Sequence, residues 1–149
     1  MKIYLGSDHR GFHLKEKLKQ KLIEWSYDLE DVGSFEYNKD DDYPDFAELV
    51  GRKIVENYGS KGILICGSGV GVVVAANKIN GVIAGTMFNP EQVKASVADE
   101  NTNIIGLSAD YSSEENSVEI VRAFLGANFS GAERHVRRIK KIKNLESEI

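Results

Sequence analysis

Gly62-Ile63-Leu64-Ile65-Cys66-Gly67-Ser68-Gly69-Val70-Gly71 is an apolar strand that runs straight into a glycine loop. Four apolar residues bounded by glycine on both sides have the pattern of a parallel strand covered on both faces. The chain's only cysteine stands where that strand ends. The loop after it can turn backbone N–H groups inward. An apolar helix expected over 72–79 then places a helix N-terminus at the same spot, which favours negative charge. A thiol facing such a loop suits proton or nucleophile chemistry. A buried cysteine packed as a small hydrophobe beside a tight turn accounts for the residue as well. Both readings stand at this point.

On either side of this segment, strand and helix patterns alternate. Ile3 to Gly6 reads as a first strand, followed by Leu14, Leu18 and Leu22 at helical spacing. Tyr27 to Val32 reads as a more exposed second strand, and Ser34 to Asp42 as a polar loop. Pro44 suits a helix start, with Phe46, Val50 and Ile54 as that helix's apolar stripe. Val82 to Met87 and Ile104 to Leu107 read as the fourth and fifth strands. Pro90 opens a helix carrying Val93 and Val97, and Ser113-x-x-Asn116 opens one carrying Val118, Val121 and Leu125. Val136, Ile139, Ile142 and Leu145 mark the last helix. The alternation predicts an α/β fold: a five-stranded parallel sheet with helices on both faces. In such a sheet the carboxyl ends of the strands share one edge, where ligands bind. Ser7-Asp8-His9, Cys66 to Gly71 and Phe88-Asn89 would meet there. That convergence tilts the balance towards chemistry at Cys66.

Composition sets the outer limits. The chain has 149 residues, 42% apolar and 28% charged, with a formal net charge of −4. This suits one domain, residues 1–149, with a core large enough to fold without staples. A single cysteine excludes an intrachain disulfide framework and fits a cytoplasmic setting. No apolar run approaches the roughly 18 residues of a membrane span, and the start at Met1-Lys2-Ile3 carries no signal-peptide pattern. His9, His13 and His135 form no zinc-ligand spacing, so no metal is expected. Arg134 to Lys143 is strongly basic, but the acidic total argues for a solvated helix rather than a nucleic-acid surface.

Several segments, in order along the whole chain, resemble the ribose-5-phosphate isomerase type B family, which also contains the galactose-6-phosphate isomerase subunits. They are Gly6-Ser7-Asp8-His9, Asp42-Tyr43-Pro44-Asp45, Ile65 to Gly71, Ala75-Ala76-Asn77-Lys78 and Arg134-His135-x-x-Arg138. The resemblance implies a Rossmann-like three-layer sandwich whose C-terminal helix packs on a partner subunit. It also implies a homodimer or tetramer with sites shared between subunits, and no nucleotide or metal cofactor. The implied activity is aldose–ketose isomerisation of a small phosphorylated sugar through an enediolate, with ribose 5-phosphate to ribulose 5-phosphate first. Such a reaction needs a base, donors for the developing oxyanion and a clamp for the phosphate. By the resemblance Cys66 is the base and the hydroxyl of Ser68 bonds to the sugar. The loop Gly67, Gly69, Val70 and Gly71 supplies N–H groups to the enediolate. Asp8 holds sugar hydroxyls, while His9, Arg134 and Arg138 face the phosphate. The two arginines share a helix face, which suits one dianion.

The chain departs from the family at three places. Asp99-Glu100 stands where many members have His-Asn, and that His is the ring-opening group, reaching across the dimer. Asp99 is therefore the candidate ring opener and Glu100 a substrate-binding neighbour; alternatively the substrate is an open-chain tetrose 4-phosphate, or His9 opens the ring. Asp110 stands where many members have a phosphate-binding Arg, which should weaken phosphate binding unless Asp110 points elsewhere. Gly131-Ala132-Glu133 replaces the usual Gly-Gly. Competing readings are a hexose 6-phosphate isomerase or a weakly active subunit of a hetero-oligomer. A dinucleotide site is disfavoured because the loop follows strand three and lacks the usual glycine spacing. A cysteine phosphatase is disfavoured because Val72 stands where its phosphate-gripping Arg would be.

Overall fold

The structure, a computed structural model, describes residues 1–147. Strands β1 (Lys2–Ser7), β2 (Asp28–Asp31), β3 (Lys61–Cys66), β4 (Ala84–Thr86) and β5 (Ile104–Ser108) form one sheet in the order β2-β1-β3-β5-β4. Every pairing is parallel. β3 lies at the centre, with Ile63 opposite Leu5 on one side and Ile105 on the other. Its residues from Gly62 to Cys66 are buried, as an apolar run of this kind requires.

Six helices cover the sheet: α1 (Phe12–Glu24), α2 (Tyr43–Glu56), α3 (Gly71–Ala76), α4 (Pro90–Glu100), α5 (Glu114–Gly126) and α6 (Glu133–Glu146). Leu18, Leu22, Val93, Val97, Ile120 and Phe124 bring α1, α4 and α5 onto one face, against Ile3, Leu5, Ile63 and Ile65. Ala47, Val50, Ile54, Val72 and Ala76 bring α2 and α3 onto the other, against Tyr4, Leu64 and Cys66. Each fully buried Leu or Ile side chain contributes about 1.5–3 kcal/mol of transfer free energy. The chain therefore leaves β1 towards one face and β3 towards the opposite face. Neighbouring strands whose exits diverge leave a crevice between their loops, and that crevice is where the sheet can hold a ligand.

The element boundaries depart from the sequence pattern in instructive ways. Asn89 accepts the Gln92 amide and Pro90 follows it, so α4 starts where proline predicts. Ser113 caps α5 through the Asn116 amide, but the Asn116 side chain donates to the Phe88 carbonyl instead of closing a capping box. The helix expected over 72–79 ends at Ala76, and tight turns take Lys78 N to Ala75 O and Ile79 N to Ala76 O. Asn77 causes the stop, since its side-chain amide pairs with both backbone groups of Ala84. The fourth strand shrinks to three residues at the sheet edge. The C-terminal helix is held to its own chain by buried His135 and Ile139, with Val136, Ile142 and Leu145 exposed.

Lys15 is fully buried on the core stripe of α1 beside Leu18 and Leu22. Its Nζ donates to Asp31 Oδ2 at 2.6 Å and to Glu16 at 3.0 Å. Burial by itself raises the Asp31 carboxyl; hydrogen bonds from Lys15, the Gly33 amide and Lys19 outweigh it and hold the group below its ordinary value. A carboxyl depressed on folding adds stability that is present above its unfolded pKa and lost as pH falls through the folded value. Removing one partner of a buried pair leaves the other charge uncompensated, at about 3–5 kcal/mol. Asp31→Ala is expected to lower stability by that order at neutral pH, and to flatten the acid limb below about pH 4. Urea unfolding of both proteins across that range checks it.

Candidate active site

Three loops meet at the carboxyl edge of the sheet. The loop after β3 is stitched to the end of β5: Ala109 N donates to Cys66 O, Asp110 N to Gly67 O, and Ser108 Oγ to Gly67 O at 2.7 Å. From the other side Thr86 Oγ1 donates to Gly69 O at 2.7 Å. The turn needs Gly69, whose φ is +75°. A Cβ there would also come within 2.8 Å of the Leu107 carbonyl carbon. Within this frame Cys66 is buried, and the Gly69 amide donates to its Sγ at 3.2 Å. An amide hydrogen aimed at sulfur is a favourable partner for negative charge there. The Val70 amide donates to Ser68 Oγ at 3.2 Å, which fixes that hydroxyl beside the thiol loop. The amides of Gly71 and Val72 have no protein acceptor among the described residues. α3 has only six residues, so its dipole is smaller than the expected eight-residue helix would carry, and the loop amides are the main polar groups.

The loop after β1 supplies a second polar set. Asp8 is buried and accepts the Gly11 amide at 3.1 Å. Burial raises its carboxyl above the ordinary range, against the lowering effects of the Gly11 amide and of His9. Asp41, from the long acidic loop, grips His9 twice. Its Oδ1 accepts the His9 backbone N–H at 2.9 Å and lies 2.7 Å from Nδ1. Asp8, His9 and Asp41 place one ligand-type atom each within 4.8 Å of one another, so this is where a cation would find donors among the described residues. All three already have partners, Asp8 in the Gly11 amide, and His9 and Asp41 in each other.

The remaining candidates lie elsewhere in the chain. α4 starts beyond β4 and runs back, so Asp99 and Glu100 in its last turn reach the amino edge of the sheet. There Asp99 Oδ1 lies 3.4 Å from His135 Nε2, whose other ring nitrogen is 2.6 Å from Ser130 Oγ. Arg134 and Arg138 are exposed on the same helix. Ile139 and Lys143 line a cavity of about 340 Å³ with Ser60, Gly81 and Asn103, which precede β3, β4 and β5. One protomer therefore brings Asp8, His9, Cys66, Gly67, Ser68, Gly69, Val70 and Gly71 together, but not Asp99, Glu100, Arg134 or Arg138. Phe88 and Asn89 reach the carboxyl edge as expected and serve there as hydrogen-bond partners of α5 and α4.

Two residues at the carboxyl edge escaped the sequence analysis as site components. Arg10 lies with its guanidinium over Gly67, where a Cβ would overlap its Cζ, and Arg10 Nη2 pairs with Asp110 Oδ2. The second is Asp41, the residue that holds His9. The three-aspartate run 40–42 was visible, but not which of the three turns inward. Asp110, which stands where many family members have a phosphate-binding Arg, is paired with Arg10.

Comparison with known proteins agrees with this geometry. Residues 3–142 match the family described as Ribose/Galactose Isomerase. The crystal structure of ribose-5-phosphate isomerase B from Mycoplasma genitalium with bound ribulose-5-phosphate superposes with a TM-score of 0.95 at 40% identity, covering 99% of this chain and 97% of that one. Type B ribose 5-phosphate isomerase from Trypanosoma cruzi gives 0.95 at 33% identity, covering 100% of both chains. Ribose-5-phosphate isomerase B of Mycobacterium leprae is 34% identical over 146 residues, 98% of this chain and 90% of that protein. The chain belongs to the Ribose/Galactose Isomerase family, and it is an aldose–ketose isomerase.

The frame of the thiol loop is open to a direct test. Gly69→Ala forces a side chain into the left-handed region and against β5, at a cost of about 1–3 kcal/mol. The expected result is a lower melting temperature together with faster alkylation of Cys66 as the loop loosens.

Proposed function

We propose that this chain interconverts ribose 5-phosphate and ribulose 5-phosphate, with Cys66 as the base. The observation that carries the reading is the thiol held at the carboxyl edge by the Gly69 amide, beside Ser68 and within the crevice that also holds Asp8 and His9. The similarity to a relative crystallised with ribulose-5-phosphate supports the choice of sugar.

The chemistry follows from the groups present. In the open-chain aldose, the Cys66 thiolate takes the C2 proton, the freed electron pair forms the C1–C2 double bond, and the carbonyl oxygen becomes the enediolate oxyanion. The Gly71 and Val72 amides are donors available to that oxygen. A proton then passes from O2 to O1, with the Ser68 hydroxyl in reach of the sugar oxygens. C1 recovers its proton from the thiol, leaving the carbonyl at C2. Asp8 accepts sugar hydroxyls, and the Gly67 to Gly71 backbone shapes the floor. Arg134, Arg138 and Glu100 would complete the site from a second copy of the chain, since their own protomer keeps them at the other edge. A homodimer, or a tetramer built from it, is the assembly this requires. Among the described residues no helix is long and apolar enough to cross a membrane.

Ring opening has two candidates, Asp99 of the facing copy and His9 of the same loop. The geometry favours His9. Asp41 engages its Nδ1 and leaves Nε2 as the nitrogen that exchanges protons with the sugar, an orientation typical of acid–base histidines. Asp99 is instead engaged with His135.

Proton NMR of ribose 5-phosphate in D2O tests the base. The wild type is expected to exchange the C2 proton, and Cys66→Ala to lose about 10²–10⁴-fold of that rate while keeping its melting temperature. A fully active Cys66→Ala protein would sink the assignment. For ring opening, Asp41→Asn is expected to slow turnover, with Asp99→Asn near the wild-type rate; the reverse order would return the step to Asp99.

A further inference from the structure

Arg10 and Asp110 form a pair that the fold does not need. Their side chains are 51% and 41% exposed, and an ion pair this exposed contributes little to stability. Yet the pair has a defined seat. Arg10 follows His9 directly, its guanidinium rests on Gly67 where any side chain would displace it, and Asp110 is fastened by its own amide to the Gly67 carbonyl. Three loops, after β1, β3 and β5, thus hold one guanidinium at the mouth of the crevice beside Cys66. A guanidinium carries five N–H donors in a planar fork. Asp110 takes only Nη2, and the other nitrogens have no protein acceptor among the described residues. A half-exposed guanidinium with donors to spare, seated on a glycine floor and held by one carboxylate, is suited to a tetrahedral oxyanion arriving from solvent.

We propose that Arg10 is a specificity-determining residue that binds the phosphate group of the substrate, and that Asp110 is its resident counter-ion, which gives way when the phosphate arrives. The proposal rests on the sugar-phosphate reading above and names the group that selects the phosphorylated end. Asp110 keeps Arg10 over Gly67 and cancels its charge. In the loaded site the dianion takes over the fork, because it offers more acceptor oxygens and more charge than one carboxylate. The carboxylate then competes with phosphate for the same donors. Its removal should tighten anion binding rather than weaken it.

The test uses the intact protein with inorganic phosphate as the probe in titration calorimetry, alongside kcat and KM for ribose 5-phosphate. Arg10→Ala is expected to weaken phosphate binding about tenfold or more, and to raise KM by more than it lowers kcat. Arg10→Lys should recover part of that loss, and Asp110→Asn should bind phosphate more tightly than wild type. Melting temperatures of all three confirm that they fold. Unchanged phosphate binding in Arg10→Ala would overturn the inference whatever the activity. A kcat loss with KM unchanged would overturn it too, placing Arg10 at the reacting carbons. Weaker phosphate binding in Asp110→Asn would overturn the role given to Asp110. A wild type that binds phosphate through Arg10 but does not turn over ribose 5-phosphate would keep the anion subsite and retire the choice of sugar.

Discussion

The peptide groups of β3 from Gly62 to Cys66 are buried, so they find their hydrogen bonds in β1, β5 and the residues that flank those strands. That requirement holds the two neighbouring strands in parallel register along Ile63, Leu64 and Ile65. It also brings the three loops that follow β1, β3 and β5 to one edge. Nothing about the site is independent of this arrangement. The Cys66 loop is fastened to β5 through the Gly67 carbonyl and to β4 through the Gly69 carbonyl. Glycines at 67 and 69 are what let backbone and guanidinium come so close there.

Charge is arranged by depth. Lys15 and Asp31 are buried together and join α1 to the end of β2, where a mismatch would leave a charge without water or partner. At the carboxyl edge the pairs are shallower. His9 is held by Asp41 and Arg10 by Asp110, each partner keeping some exposure. Buried pairs hold elements in place; half-exposed pairs can exchange a partner for a ligand. The acidic total of the chain thus conceals a site where His9 and Arg10 each have a carboxylate partner.

The two edges of the sheet divide the chemistry. The carboxyl edge holds the thiol, the loop amides, Asp8 and His9, and the amino edge holds Asp99, Glu100, Arg134 and Arg138. The proposed mechanism joins them only through a second copy of the chain. The exposed Val70 and Val74 beside the thiol loop, and Val136, Ile142 and Leu145 on α6, are apolar surface that one protomer leaves uncovered.

Much of this was legible in the residues. The apolar run with its glycine loop announced a covered parallel strand and the place of Cys66, because burial and tight turning each leave a mark on local composition. Proline at 44 and 90 and the cap at Ser113 marked three helix starts for the same reason. The early end of α3 was not legible, since it depends on Asn77 reaching Ala84. Nor did periodicity show that Lys15 would take a core position, which only the nearby Asp31 makes tolerable. By itself, then, the sequence determined the alternating sheet, the family and the loop that carries the thiol. The tertiary structure alone decided which charges meet: Arg10 with Asp110 across 100 residues, and His9 with Asp41 across 32. Hydrophobic periodicity and turn chemistry act over a few neighbouring residues and can be read along the chain, whereas a side-chain pair exists only once the folded sheet has brought distant loops to the same edge.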